Sequence, residues 1–215
     1  MDTEVEKDPE TLRDRLVEAA LEILLQEGIE ALTLRSVARR VGVSHGAPAR
    51  HFRGLADLRA EVAAVGFRLL SEAIEKSSAL IPADASADCD LPIASDAFRR
   101  LSAAGHAYLD CALANPGLFA LMFRRGDLDS ENASLARDSS AAYNGLLEHV
   151  RVAQAAGWKS TDDSGLLAGA LWASIHGLAT LWLLGAYQEV NPSASLDDAV
   201  ATTMALSAQD RKGEN

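Results

Sequence analysis

Apolar residues recur at three- and four-residue intervals through most of this chain, and no stretch of any length alternates as a strand would. Leu12, Leu16, Ala20, Ile23 and Leu24 fall on one face of a helix, with Arg13, Asp14, Glu18 and Glu22 opposite. Thr11 supplies an N-cap for it and Gly28 a stop. Leu34, Val37, Ala38 and Val41 repeat the pattern between Thr33, a second cap, and Gly42, a second stop. Ser44 then opens a short helix from about His45 to Phe52. Two helices joined by a glycine turn and braced by a third predict a helix-turn-helix head over residues 11–58.

Downstream, the spacing predicts a long helix from Asp57 to about Ser78, carrying Leu58, Val62, Val65, Leu69 and Ile74. Residues 79–95, with two prolines and three aspartates, read as a surface linker. Helices follow over 96–114, 118–125 and 130–156, the first broken by Asn115-Pro116-Gly117, the last with Leu135, Tyr143, Leu146, Leu147 and Val150 inward. Residues 164–188 contain no Asp, Glu, Lys or Arg and are long enough to span a bilayer. Four glycines, a central His176 and the acidic neighbours Asp162, Asp163 and Glu189 argue against a membrane. A helix apolar all round is otherwise buried on all sides, which here implies a partner chain. Gly165, Gly169, Ala173 and Gly177 make a ridge of small side chains that allows close helix approach. Residues 59–215 are therefore expected to form a larger helical bundle that makes a homodimer through this ridge, helped by 197–208.

Charge changes the picture most. The 215-residue chain has a net charge of −11, yet Thr33–Arg59 holds six arginines against one acid, Asp57. A basic island in an acidic chain is the footprint of a polyanion-binding surface. The candidate DNA contacts are Thr33, Arg35, Ser44, His45, Gly46, Ala47, Arg50, His51 and Arg53. Ser44 can donate to a phosphate, His45 can bond a base or a phosphate, Ala47 can touch a thymine methyl, and Gly46 allows close approach. Pro48 is tolerable if its missing N–H falls among the first-turn donors; Phe52 reads as a core anchor. The alternative is a helical interaction protein whose arginines bind an acidic partner. The acidic residues 1–10 are expected to be a disordered tail. Two cysteines, Cys89 and Cys111, and the absence of a signal-like start point to the cytoplasm. His106 and Asp110 lie one turn apart, but no second ligand pair, phosphate loop or nucleophile elbow accompanies them, so no catalysis, metal or cofactor is expected.

From about Thr11 to Leu58 the chain resembles the DNA-binding domain of the TetR family of bacterial transcription regulators. The resemblance rests on AALEILLQEGIEALTLRSVARRVGVS followed by RHF, with Gly28, Thr33, Ala38, Gly42, Val43, Ser44, His51 and Phe52 at the family's positions. It departs from the family at Ala49 and Leu55, where a tyrosine and a lysine that hold phosphates are usual. Trp172, His176 and Gly177, with SHGAP at 44–48, resemble a subgroup whose C-terminal regulatory domain carries a Trp and His-Gly motif. This resemblance implies a homodimeric repressor that reads a palindromic double-stranded operator and is released by a small apolar ligand. Tyr108, Phe119, Met122, Phe123, Trp172 and His176 are the residues expected to line the ligand pocket.

Overall fold

A computed structural model describes residues 11–81 and 96–208; the acidic tail, most of the linker and Cys89 lie outside them. The described chain is all α, with helices α1 (Leu12–Glu27), α2 (Leu34–Val41), α3 (Leu55–Ala79), α4 (Asp96–Ala114), α5 (Pro116–Phe123), α6 (Ala133–Ala155), α7 (Ser164–Leu183), α8 (Ala186–Val190) and α9 (Leu196–Ala208).

Local chemistry sets the ends of the first helices. Thr11 caps α1 in a reciprocal capping box with Asp14, and Thr33 does the same for α2 with Ser36. Gly28 and Gly42 close these helices at φ 85° and 78°, a region that costs a side-chain-bearing residue energy. Asn115 alone separates α4 from α5. Pro116 opens α5, because a first-turn residue has no use for its N–H.

The chain divides into two compact units, residues 1–66 with 117–136 and residues 67–116 with 137–215. The division falls inside α3 at Gly66, beyond the expected boundary at 58/59, and the first unit takes in the Gly117–Ala136 segment as well. Packing explains this: Leu118 and Met122 of α5 lie so close to Gly66 that a Cβ there would meet Met122 Sδ at 2.6 Å. Leu16, Ile23 and Leu24 of α1, Val37 and Ala38 of α2, Phe52, and Leu58 and Val62 of α3 are all buried in this unit. The second unit buries Phe98, Leu101 and Leu109 of α4, Val150 of α6, Trp158, Leu171, Ile175 and Leu178 of α7, and Val200 and Met204 of α9. The Phe98 and Trp158 rings lie 5.8 Å apart at its centre.

One expectation changes here, that for Tyr143. Within its own chain, helix α7 buries one face. Ala168, Leu171, Ile175, Leu178 and Ala179 face its own chain, while Leu166, Ala170, Ala173, Leu181 and Leu184 are exposed. Gly169 and Gly177 have open space where a Cβ would stand. Tyr143, expected inward on α6, is exposed and packs edge-on against Trp172, with ring centroids 6.3 Å apart.

Candidate nucleic-acid interface and regulatory cluster

The segment after α2 is not the regular helix that its sequence predicts over 45–52. It is a turn at His45 and Gly46, followed by a single 3-10 turn at Pro48–Arg50. Proline is the cause. In an α-helix capped by Ser44, the first four-residue hydrogen bond runs from residue 48 to the Ser44 carbonyl, and Pro48 has no N–H to give. Ala47 N–H takes that carbonyl instead at 2.9 Å, Arg50 N–H reaches Ala47 at 3.1 Å, and only Phe52 N–H spans four residues, to Pro48 at 2.9 Å. No side-chain hydrogen bond caps this 3-10 turn. The segment is held down by Pro48, which is buried, and by Phe52, whose ring carries the Arg13 guanidinium 5.4 Å from its centroid.

The structure sorts the six arginines of the basic island. Arg40 is spent on Glu22, at 3.1 Å, and on Glu27. Arg59 reaches the Ile29 carbonyl at 3.5 Å. Arg53, a candidate DNA contact by sequence, lies among three carboxylates: Asp129 at 2.8 Å, Glu131 at 3.2 Å and Asp57 at 3.7 Å. Arg35, Arg39 and Arg50 are exposed and form no ion pair among the described residues. Arg35 and Arg39 are one turn apart and share a face of α2. Arg39, not among the sequence candidates, joins them because it has no ion-pair partner among the described residues. Ser44, His45, Gly46 and His51 are exposed, as is Thr33, whose hydroxyl accepts the Ser36 N–H at 3.1 Å. Ala47 is half-buried.

The candidate ligand residues do not all fall in one unit. Phe119, Met122 and Phe123 belong to the first, where the rings of Phe119 and Phe123 meet at 5.2 Å. Tyr108, Trp172 and His176 belong to the second and form a cluster. Trp172 Nε1–H donates to the Tyr108 hydroxyl at 3.4 Å, and that hydroxyl lies 2.8 Å from His176 Nδ1. The phenol donates in this bond when the imidazole is neutral with its proton on Nε2. Burial favours that state: it holds the His176 imidazole below its usual pKa and pushes the Tyr108 phenol up.

The sequence profile described as "Bacterial regulatory proteins, tetR family" matches residues 16–62, and the profile "Tetracyclin repressor-like, C-terminal domain" matches residues 101–205. Together they take in most of the chain. The chain belongs to the TetR family. It is accordingly a DNA-binding transcriptional regulator and not an enzyme. Over 45 residues it is 42% identical to the HTH-type transcriptional regulator SrpR of Pseudomonas putida, a match spanning 21% of each chain. A protein of unknown function from Rhodococcus sp. RHA1 is similar over nearly the whole length, with 28% identity, a TM-score of 0.74, and 97% and 100% of the two chains covered. The TetR family regulator PfmR of Thermus thermophilus shares the fold at 18% identity and a TM-score of 0.56, with 90% and 95% covered.

Within this TetR family member the second unit holds two part-buried histidines, His149 and His176. Burial lowers the pKa of His176; burial, then the nearby Arg100, lowers that of His149. Both imidazoles therefore refuse protons that the unfolded chain accepts from pH 6.5 downward. Thermal stability is expected to be flat just above pH 6.5, to fall as the pH drops through that value, and to level off once the folded imidazoles titrate. Melting curves across this range should show it. His149→Gln and His176→Gln together should flatten the decline, and an unflattened decline assigns it to other groups.

Proposed function

We propose that this regulator is a cytoplasmic homodimeric repressor that reads a palindromic operator in double-stranded DNA and is released by a small ligand. The observation that carries the DNA reading is the division among the arginines: Arg35, Arg39 and Arg50 stand exposed with no ion pair among the described residues, while Arg40 and Arg53 are consumed by carboxylates. Unneutralised guanidinium groups on α2 and the segment after it are what phosphate oxygens require. Ser44, His45, Gly46, Ala47 and His51 form the accompanying exposed edge for bases and phosphates, with Thr33 fixing the start of α2. Arg39 and Arg50 stand in for the phosphate contacts absent at Ala49 and Leu55.

The dimer reading rests on α7. Its length and apolar composition also suit a membrane span, yet its apolar residues lie on two opposed faces, one already used within the chain. A second copy covers the other face, with Gly165, Gly169, Ala173 and Gly177 at the crossing. The effector reading rests on Tyr108, Trp172 and His176, whose hydrogen bonds a ligand with a polar group would compete for. Such a ligand switches the protein only if it binds the DNA-free state more tightly than the DNA-bound state.

The experiment is binding of the purified protein to fragments of the DNA around its own coding region, with excess nonspecific competitor at two salt concentrations. A salt-sensitive complex on one fragment is expected. Salt-sensitive retention on every fragment alike counts against an operator and favours an acidic protein partner. Arg39→Ala and Arg50→Ala should each weaken all duplexes and reduce the slope of log affinity against log salt by about 0.9 per lost phosphate contact. An unchanged slope removes that arginine from the interface.

A further inference from the structure

The segment that follows α2 is poor in hydrogen bonds of its own, and Gly46 and Gly54 bracket it. Its direction therefore depends on the buried Pro48 and Phe52 and on what holds its ends. The trailing end is held at Arg53, whose N–H donates to Asp57 Oδ2 at 2.9 Å and whose guanidinium reaches Asp129 and Glu131. Asp57 is held in turn by Asn132. The Asn132 amide donates to Asp57 Oδ1 at 2.8 Å and to Glu61 Oε1 at 2.7 Å, while its oxygen accepts the Leu135 N–H at 2.8 Å and so caps α6. Arg13 completes the set at 2.7 Å from Glu61.

Asn132, Asp57 and Glu61 are all buried. One neutral amide thus separates two buried carboxylates a turn apart on α3. Burial pushes the Asp57 carboxyl up, but the Arg53 N–H, the Asn132 amide and the Arg53 and Arg13 guanidiniums outweigh that and keep it ionised. Deleting the amide leaves two buried charges short of donors, a costlier state than losing an exposed hydrogen bond.

We infer that Asn132 is a positioning residue for DNA reading: through Asp57 it fixes the Arg53 backbone, and with it the direction in which residues 45–51 face the duplex. Arg53 is then a pin between this segment and the Asp129–Asn132 turn, and not a phosphate contact. The inference rests on the DNA-reading assignment above and adds to it a residue remote in sequence.

The test uses the full chain and a duplex that the wild-type protein selects from a random-sequence library. Asn132→Ala should bind the selected duplex about tenfold more weakly, the scale of one hydrogen-bond link to a charged group. Its binding to unselected duplex and its salt slope should stay unchanged, because no phosphate contact is lost. Arg53→Gln should behave the same way; equal loss on both duplexes with a flatter slope makes Arg53 a phosphate contact and overturns the inference. Asn132→Asp places a third carboxyl against Asp57 and Glu61, with Arg13, Arg53, Asp129 and Glu131 as the facing charges. It should lose selectivity near neutral pH and regain part of it as the pH falls, when one carboxyl takes a proton and donates again. Selectivity independent of pH counts against the inference.

Hydrogen exchange without DNA supplies an arm that does not need the DNA reading to hold. Asn132→Ala should speed exchange at the Arg53 amide while α1 and α2 keep their protection. Unchanged protection at Arg53, or loss throughout both helices, overturns the positioning role. If the wild-type protein selects no duplex, the DNA reading itself fails, and this exchange result still decides whether Asn132 fixes Arg53.

Discussion

Replacing Ala173 with arginine is expected to split the proposed homodimer and weaken binding to its proposed operator by about 10²–10⁴-fold, the range by which linking two sites raises affinity. Ala173 is exposed on α7, opposite the Leu171 and Ile175 face, so a long side chain there meets nothing in its own chain. Across a two-fold axis the substitution appears twice. Two guanidiniums then face each other where the ridge of Gly169, Ala173 and Gly177 should bring helices close. Helix α7 offers neither of them a carboxylate, since it has no acidic residue between Ser164 and Leu183. Burying unpaired charge costs far more than a small apolar contact returns. Sedimentation should give a monomer with unchanged helix content, and nonspecific DNA affinity per head should be retained. A variant that sediments as a dimer would place the interface elsewhere on the chain.

The largest expected effect on folding is that of Trp158→Ala, about 3–5 kcal/mol of destabilisation. Trp158 follows α6 and is 1% exposed, one of the largest side chains to be fully buried. Its ring lies 5.8 Å from that of Phe98 on α4, and its backbone N–H closes on the Ala153 carbonyl at 3.0 Å. Truncation removes aromatic contacts and leaves a void that rigid neighbouring helices fill only in part. Among the described residues the indole Nε1–H has no hydrogen-bond partner, so the penalty is one of packing and is not compounded by a lost polar contact. Domains of this size are stable by about 5–15 kcal/mol, so a large share of the stability is at stake. Denaturant unfolding followed by the remaining tryptophans, Trp172 and Trp182, would measure it. Trp158→Phe should recover most of the loss if packing is the cause, and equal loss in both variants would refute a packing account.

The helix-turn-helix head was legible because its signals are local. A capping threonine, a three-four apolar spacing and a glycine stop each act within a turn or two of the chain. The structure returns Thr11, Thr33, Gly28 and Gly42 in the roles their sequence positions imply. The departure at the reading segment is local too: Pro48 removes the first four-residue hydrogen bond, and a short segment does not survive that loss as a regular helix. The boundary at Asn115 was also readable, although Pro116 begins α5 where a simple break was expected.

The uses of individual side chains were not readable in this way. Sequence alone presents six arginines as one basic island; it is Glu22 and Glu27 on α1, and Asp129 and Glu131 more than 70 residues downstream of Arg53, that remove two of them from it. Nothing in the sequence singles out Asn132; it caps α6, and its bonds to Asp57 and Glu61 exist only because the 117–136 segment packs into the first unit. Apolar periodicity likewise marked α7 as apolar all round, but packing decided that Ala168, Leu171, Ile175, Leu178 and Ala179 are the residues that face its own chain. Backbone conformation follows from interactions a few residues long. Charge pairing and face selection depend on which distant residues the packing brings within a few ångströms.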